Sequence, residues 1–364
     1  MTKENNNPIT KNEYSLSDVI SNHLQVGGIE TSILDNGPCK GVRIASINTG
    51  SGLRYKVVID RALDIMDAFY NQHALAWISH PGITTPNQNA NTKFEWLRSF
   101  GGGLMTTCGL THIGGPESDR YGERGLHGRI SNLPAELISV EQPDILKNKP
   151  EMSITGVTRE TTVFGPSLEI KRTISSKLGQ AKITILDEVR NTGNEAVPHM
   201  ILYHCNFGWP LVDKGTRILW SGDWKSRGTE LDNKIFNEGF DFRKCPAPQP
   251  DHSGTGEACA FIKVKADAKG ISTCALHNPK LKLAFLIRFK KNELPWLTNW
   301  QHWGKGEYVT AFEPGTNPPI GQKKAREKGE LNFIKPGETR SYRIEMEIME
   351  EDQNIREKLD AIQG

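Results

Sequence analysis

Residues 342–348 read Tyr-Arg-Ile-Glu-Met-Glu-Ile, with every second side chain apolar and every other one charged. Successive side chains on an extended chain point to opposite faces, so this alternation marks a strand with one face buried and one in water. The same period recurs at Leu53, Tyr55 and Val57, which alternate with Arg54 and Lys56. Similar segments lie around 168–175, 181–190, 197–204, 258–265, 271–277, 282–289 and 307–313. Turn-forming clusters such as Asn191-Thr192-Gly193-Asn194 and Pro336-Gly337-Glu338 punctuate them. Helical spacing is rare. It is expected after a Ser15 or Ser17 cap, over 92–99 around Phe94, Trp96 and Leu97, and in the tail, where Ile355, Leu359 and Ile362 fall at i, i+4, i+7. Many strands without a βαβ rhythm predict an all-β fold, a large antiparallel β-sandwich with a few short helices. No internal repeat or low-complexity linker divides the chain. The expectation is a disordered lead-in over 1–13 and a single domain over 14–364, with room for a small subdomain near 226–256.

The chain has 364 residues, 36% of them hydrophobic, which suffices for a core of this size. Lysine and arginine number 45 against 43 acidic residues. Binding to nucleic acid rests on neutralising phosphates and needs a basic excess or stripe, so no nucleic-acid partner is expected. No stretch approaches 18 apolar residues and the first residues lack a signal peptide's apolar run, so a soluble, cytoplasmic protein with no membrane partner is expected. Six cysteines show no CxxC pair, and read as reduced, mostly buried thiols.

Nucleotide and metal motifs are missing. Phe100-Gly101-Gly102-Gly103-Leu104 lacks both GxGxxG spacing and a P-loop lysine, and reads as a bulge or a close backbone approach in a sheet. No GxSxG or HExxH occurs. Tyr203-His204-Cys205 has no companion at metal-ligand spacing, so neither a metal nor a cofactor is expected.

Three segments place a reactive side chain among small or turn-forming neighbours. In Gly125-Leu126-His127-Gly128-Arg129 a histidine stands between glycines, which suits an exposed ring held by tight backbone or, equally, a turn histidine capping a carbonyl. In Leu202-Tyr203-His204-Cys205-Asn206-Phe207 the period of a strand puts His204 and Asn206 on one face, as in a pocket wall; a lone histidine there reads more simply as a core histidine bonded to a carbonyl. In Phe312-Glu313-Pro314-Gly315 a carboxylate closes an apolar strand; held between Phe312 and Pro314 it is expected to be partly desolvated, with its pKa raised toward that of a useful base. Trp296, Trp300 and Trp303 lie just upstream, and aromatic faces stack on the C–H faces of sugars, although at least one of the three is expected in the core.

Taken together, Leu126-His127-Gly128, Tyr203-His204-Cys205-Asn206-Phe207 and Phe312-Glu313-Pro314, in that order, resemble the aldose 1-epimerase pattern of the galactose-mutarotase-like superfamily. The close, Phe333-Ile334-Lys335-Pro336-Gly337-Glu338 followed by an alternating strand, is similar to the family's ending, and the resemblance runs from about residue 25 to 349. Ile59-Asp60-Arg61-Ala62-Leu63-Asp64-Ile65, Thr106–Leu110 and Gly208-Trp209-Pro210-Leu211 depart from that pattern and point to an uncharacterised branch. The resemblance implies the superfamily's supersandwich and a small carbohydrate as partner. It also implies cofactor-free interconversion of anomers by ring opening and closure, with base and acid on opposite sides of the anomeric centre. Glu313 takes the role of base, His204 of acid, and His127 of hydrogen-bond donor. Arg61 is the candidate for the family's sugar-binding arginine, against a plain salt bridge to Asp60 or Asp64; Arg129, Asn206 and Trp300 complete the expected sugar contacts. A non-catalytic sugar-binding protein, or a lyase, hydrolase or aldose–ketose isomerase on the same fold, are the alternatives. The oligomeric state is not legible.

Overall fold

The computed structural model describes residues 15–363 except 238, 253 and 255, so the expected lead-in lies outside the described residues. The predicted strands form, and several run beyond the alternation that marks them: Thr339–Glu350, Ser167–Lys177 and Lys182–Asn191. Along Lys182–Asn191 burial alternates almost residue by residue, with Ile183, Ile185 and Val189 inward.

Three large antiparallel sheets build the molecule, beside a two-stranded hairpin of Glu117–Asp119 and Gly122–Arg124. A five-stranded meander takes in Gly28–Ile33, Arg43–Asn48, Leu53–Val58, Asp64–Tyr70 and His73–Ala74. In the eight-stranded sheet Thr339–Glu350 lies between Leu283–Lys290 and Lys182–Asn191, so the last strand of the chain is central. The seven-stranded sheet runs Gly222–Ser226, Ala258–Val264, Trp296–Gly304, Glu307–Gly315, Val197–Phe207 and Asn332–Ile334, while Thr106–Leu110 pairs with residues 200–204. One apolar core spans all three, joining Ile47 and Leu53 to Ile154, Ile185 and Ile344 and to Tyr203, Phe207 and Phe312. This is the expected antiparallel β-sandwich.

Inside that core a charged network ties the sheets together. The Arg172 guanidinium donates to both carboxylate oxygens of Asp187 (2.8 and 2.6 Å), to Asp64 Oδ1 (3.2 Å) and to the Ala62 carbonyl. Tyr203 Oη donates to Asp187 at 2.7 Å, and Thr107 donates to Asp64 through both its backbone N–H and its hydroxyl. Burial without partners makes such groups costly, and here each finds at least one.

The Val197–Phe207 strand is buried along almost its whole length. Its odd residues (Tyr203, Cys205, Phe207) join the main core. Its even residues Met200 and Leu202 face a second apolar cluster with Trp96, Phe100, Cys108, Ile113 and Ala325, mostly from the segment that crosses over the sheet before residue 135. That crossing depends on the triple glycine. A Cβ on Gly101, Gly102 or Gly103 would stand 2.3 Å from Gly82 O, 2.5 Å from Trp77 O or 2.9 Å from Ile65 O, so the expected close backbone approach is what these glycines supply.

Helical expectations fare unevenly. Ser15 caps Leu16–Val19, and the tail forms Gln353–Asp360. There Ile355 and Leu359 pack on Leu219, Ala275 and Leu286, each such burial stabilising the fold by about 1.5–3 kcal/mol. The 92–99 helix does not form. Lys93 sits at φ 45°, a left-handed turn no α-helix can start through, and only a 3-10 turn, Glu95–Arg98, with Trp96 buried, remains. From the 226–256 segment, Ile235, Phe236, Phe242 and Cys245 join the main core. Five of the six cysteines are buried and all are free.

Candidate active site

Cross-strand register brings the two principal groups together. Cys205 stands opposite Phe312 and Leu202 opposite Gly315, which sets His204 across from Glu313 on the outer face of the seven-stranded sheet. His204 Nε2 lies 3.3 Å from Glu313 Oε1, with the side chains 7% and 3% exposed. The strand holding Glu313 runs on through Pro314 to Gly315, further than the turn signal suggests.

Burial shapes both groups. It pushes the Glu313 carboxyl well above the usual carboxylate range, helped by the negative charge of Glu257 and opposed by Arg227. The same burial lowers His204 to about 4, with the Asn206 side chain and Glu257 pulling upward. Both shifts favour the uncharged form of each group.

His127 completes the trio. Its ring stands edge-on to His204, 6.1 Å between centroids and at 90°. The residue adopts φ 57°, and Gly125 and Gly128 beside it lie against backbone: a Cβ at either would meet Asn91 C or Gly109 O at 2.4 Å. The tight backbone expected around this histidine is present, but the ring is half-buried rather than exposed. His127 Nδ1 accepts from the Gly114 N–H at 3.3 Å. Burial, with His204 and His112 nearby, holds its pKa well below the ordinary value. A neutral ring accepting at Nδ1 carries its proton on Nε2, which makes it a donor.

Aromatic rings wall the site. Phe100 and Trp300 approach the His204 ring at 5.2 and 5.5 Å, Trp77 lies 6.1 Å from both of them, and Trp96 stacks on Phe100 at 4.3 Å while reaching His127 at 5.0 Å. Trp303, by contrast, is fully buried in the core, as at least one of Trp296, Trp300 and Trp303 was expected to be.

Of the remaining expected sugar contacts, Trp300 and Asn206 adjoin His204, while the two arginines bond elsewhere. Asn206 is buried, and its amide nitrogen donates to Gly103 O (3.1 Å) and His204 O (2.9 Å), so it braces the backbone of the strand carrying His204. Arg61 is buried, with its guanidinium donating to Ser131 O and Thr84 Oγ1. The simple salt bridge is not formed either: Asp60 is taken by Arg43 and Asp64 by Arg172. Arg129 points to Thr161 O and Glu160. Neither arginine is among the charges that act on His127, His204 or Glu313.

Two residues without a local signal stand in their place. Glu257 accepts from Trp300 Nε1 at 2.9 Å and pairs with Arg227 at 2.7 Å, and Arg227 also pairs with buried Asp232 at 2.9 Å. This chain fixes the Trp300 ring against His204 and sets the field at Glu313. Among the described residues no group of three or more His, Cys, Asp or Glu side chains has metal-binding geometry.

The profile of a family described as "Domain of unknown function (DUF4432)" matches residues 39–348. No curated protein matches the chain in sequence. Among solved structures, a candidate aldose 1-epimerase from Klebsiella pneumoniae superposes with a TM-score of 0.83 at 22% identity, over 92% of this chain and 88% of that one. A galactose mutarotase-like protein from Clostridium acetobutylicum gives 0.60 at 14% identity (89% and 98%), and a galactose 1-epimerase from Lactobacillus acidophilus gives 0.57 at 11% (89% and 99%). The fold is therefore the galactose-mutarotase-like supersandwich.

Proposed function

Since this chain belongs to the DUF4432 family, whose description assigns no chemistry, we propose its function from the site: an isomerase that interconverts the anomers of a sugar by acid–base ring opening. The observation that supports this reading is the 3.3 Å contact between Glu313 and His204 beside the rings of Phe100 and Trp300.

The anomeric carbon bears two oxygens, the O1 hydroxyl and the ring oxygen O5. Opening the ring removes the O1 proton, places a proton on O5 and breaks C1–O5, leaving an aldehyde. Rotation about C1–C2 and closure on the other face give the second anomer, with each proton returned. Both oxygens are attached to one carbon, so acid and base working side by side reach them together, and the opposed arrangement expected from the sequence is not required. In the assignment carried by the family resemblance, Glu313 accepts from O1 while His204 donates to O5. Afterwards the pair has exchanged its proton internally and still holds one. The raised carboxyl and depressed imidazole favour resting the proton on Glu313, which supports the mirror assignment, with Glu313 as acid and His204 as base. Both carry the same charge and are indistinguishable by pH alone. His127 Nε2–H donates to O5 or a neighbouring hydroxyl, and Trp300 offers its face to the sugar ring.

Anomer exchange followed by NMR on freshly dissolved aldoses tests this. Glu313→Gln, close to isosteric, is expected to slow exchange by about 10²–10⁴-fold, the usual worth of a general acid–base group. Undiminished exchange in both Glu313→Gln and His204→Asn would sink the proposal.

A further inference from the structure

The same sheet face carries a cavity one step from the site. Lys225 stands opposite Phe261, Phe261 opposite Thr298, and Thr298 opposite Glu313, so these four form one row across four strands. A cavity of about 100 Å³ opens beyond Glu313 along this row, with Phe261 and Trp296 at its base. Its cations come from separate elements: Lys225 from Gly222–Ser226, and Lys324 and Lys328 from one face of the Gln322–Glu327 helix and its C-cap. Arg227 also lines it, already paired with Asp232 and Glu257. Glu330 is the one acidic residue of the lining.

Among the described residues, none of Lys225, Lys324 and Lys328 is paired with a carboxylate, so their charges are open to a ligand. In a chain of net charge +2, three such cations around one cavity are a local excess. Phe261 lies two strand spacings, about 10 Å, from Glu313. That is the reach from an anomeric carbon to cations around a charged group at the far end of a hexose.

We propose that this cavity is the subsite for an anionic substituent (carboxylate, phosphate or sulfonate) of the sugar whose anomeric carbon meets Glu313 and His204. The inference rests on the proposed acid–base site and names the substrate class. Arg227 connects the two places, since it lines the cavity and its charge acts on Glu313. The lysines are exposed and act as a rim. Such charges speed capture of an oppositely charged ligand and lose their effect as salt rises, because screening sets in over about 8 Å at physiological ionic strength.

The test compares anomer exchange of glucose, galactose, glucuronic acid, glucose 6-phosphate and galactose 6-phosphate by the full chain and by Lys324→Ala/Lys328→Ala. The expected result is a kcat/KM for at least one anionic sugar about tenfold or more above its neutral parent at low salt. This preference shrinks with added sodium chloride and collapses toward one in the double variant. Equal rates for charged and neutral sugars, or a preference the double variant leaves intact, overturn the subsite while leaving anomer exchange standing. If no sugar is accelerated, the acid–base reading fails on its own. Calorimetric titration then decides the subsite: glucose 6-phosphate or glucuronate binding in wild type, lost in the double variant, upholds it, and no binding overturns it.

Discussion

The acid–base roles proposed for Glu313 and His204 set a pH profile that can be derived before it is measured. Under the proposed mechanism the pair is competent while it holds a single proton, so kcat/KM is expected to be flat over that range. As pH falls through about 4, the burial-depressed pKa of His204, a second proton enters and the rate drops. The shared proton is lost only well above the ordinary carboxylate range, where burial and Glu257 have moved the Glu313 carboxyl, and the rate drops again. These limits belong to the pair rather than to either residue. Glu257 raises both groups, so Glu257→Gln is expected to shift both limbs of the profile to lower pH. A merely structural role for Glu257 would lower the plateau and leave the limbs in place. That distinction makes the profile more informative than the activity alone.

Among the elements, the 125–128 turn bears most directly on the site. Gly128 has φ 70° and no room for a Cβ, so Gly128→Ala must displace the Gly109 carbonyl and with it the His127 main chain, which accepts from Gly109 N. A left-handed conformation alone costs a non-glycine residue about 1–2 kcal/mol. Gly128→Ala is expected to lower the unfolding free energy measured in urea by at least that much and to slow anomer exchange, whereas Gly122→Ala, a left-handed glycine with open space, should show the strain cost alone. The sheet elements were legible from the sequence because period 2 survives wherever one face is wet, as along Tyr342–Ile348. The three reactive residues were legible because each lies in a short motif. Glu257 and Arg227 were not. They reach the site through pairings between Ala258–Val264, Trp296–Gly304 and Gly222–Ser226, and no local pattern records such distant contacts. Arg61 misled for the opposite reason: its neighbourhood suggests a site, yet its partners, Ser131 and Thr84, come from remote loops.

At the scale of the whole molecule, the Arg172 network decides how the sheets hold together. Asp64 belongs to the five-stranded sheet, Arg172 and Asp187 to the eight-stranded sheet, and Tyr203 to the seven-stranded one. Burial lifts Asp64 to about 6 even with Arg172 and Thr107 holding it down. Arg172→Leu removes the only cation bonded to Asp187 among the described residues and leaves buried charge unpaired, a change that costs about 3–5 kcal/mol. The expected outcome is a large loss of denaturant resistance measured by circular dichroism; a loss below about 1 kcal/mol would show that the network is dispensable.

Tyr203 and His204 are consecutive on one strand, one facing the charged core and the other the pocket. Under the proposed function, inactivation and melting are therefore expected to be a single event. Nothing at the acid–base pair can loosen early and cheaply, since the strand that positions it is also the strand that closes the core. On slow heating, catalysis should persist close to the melting transition and then vanish with it.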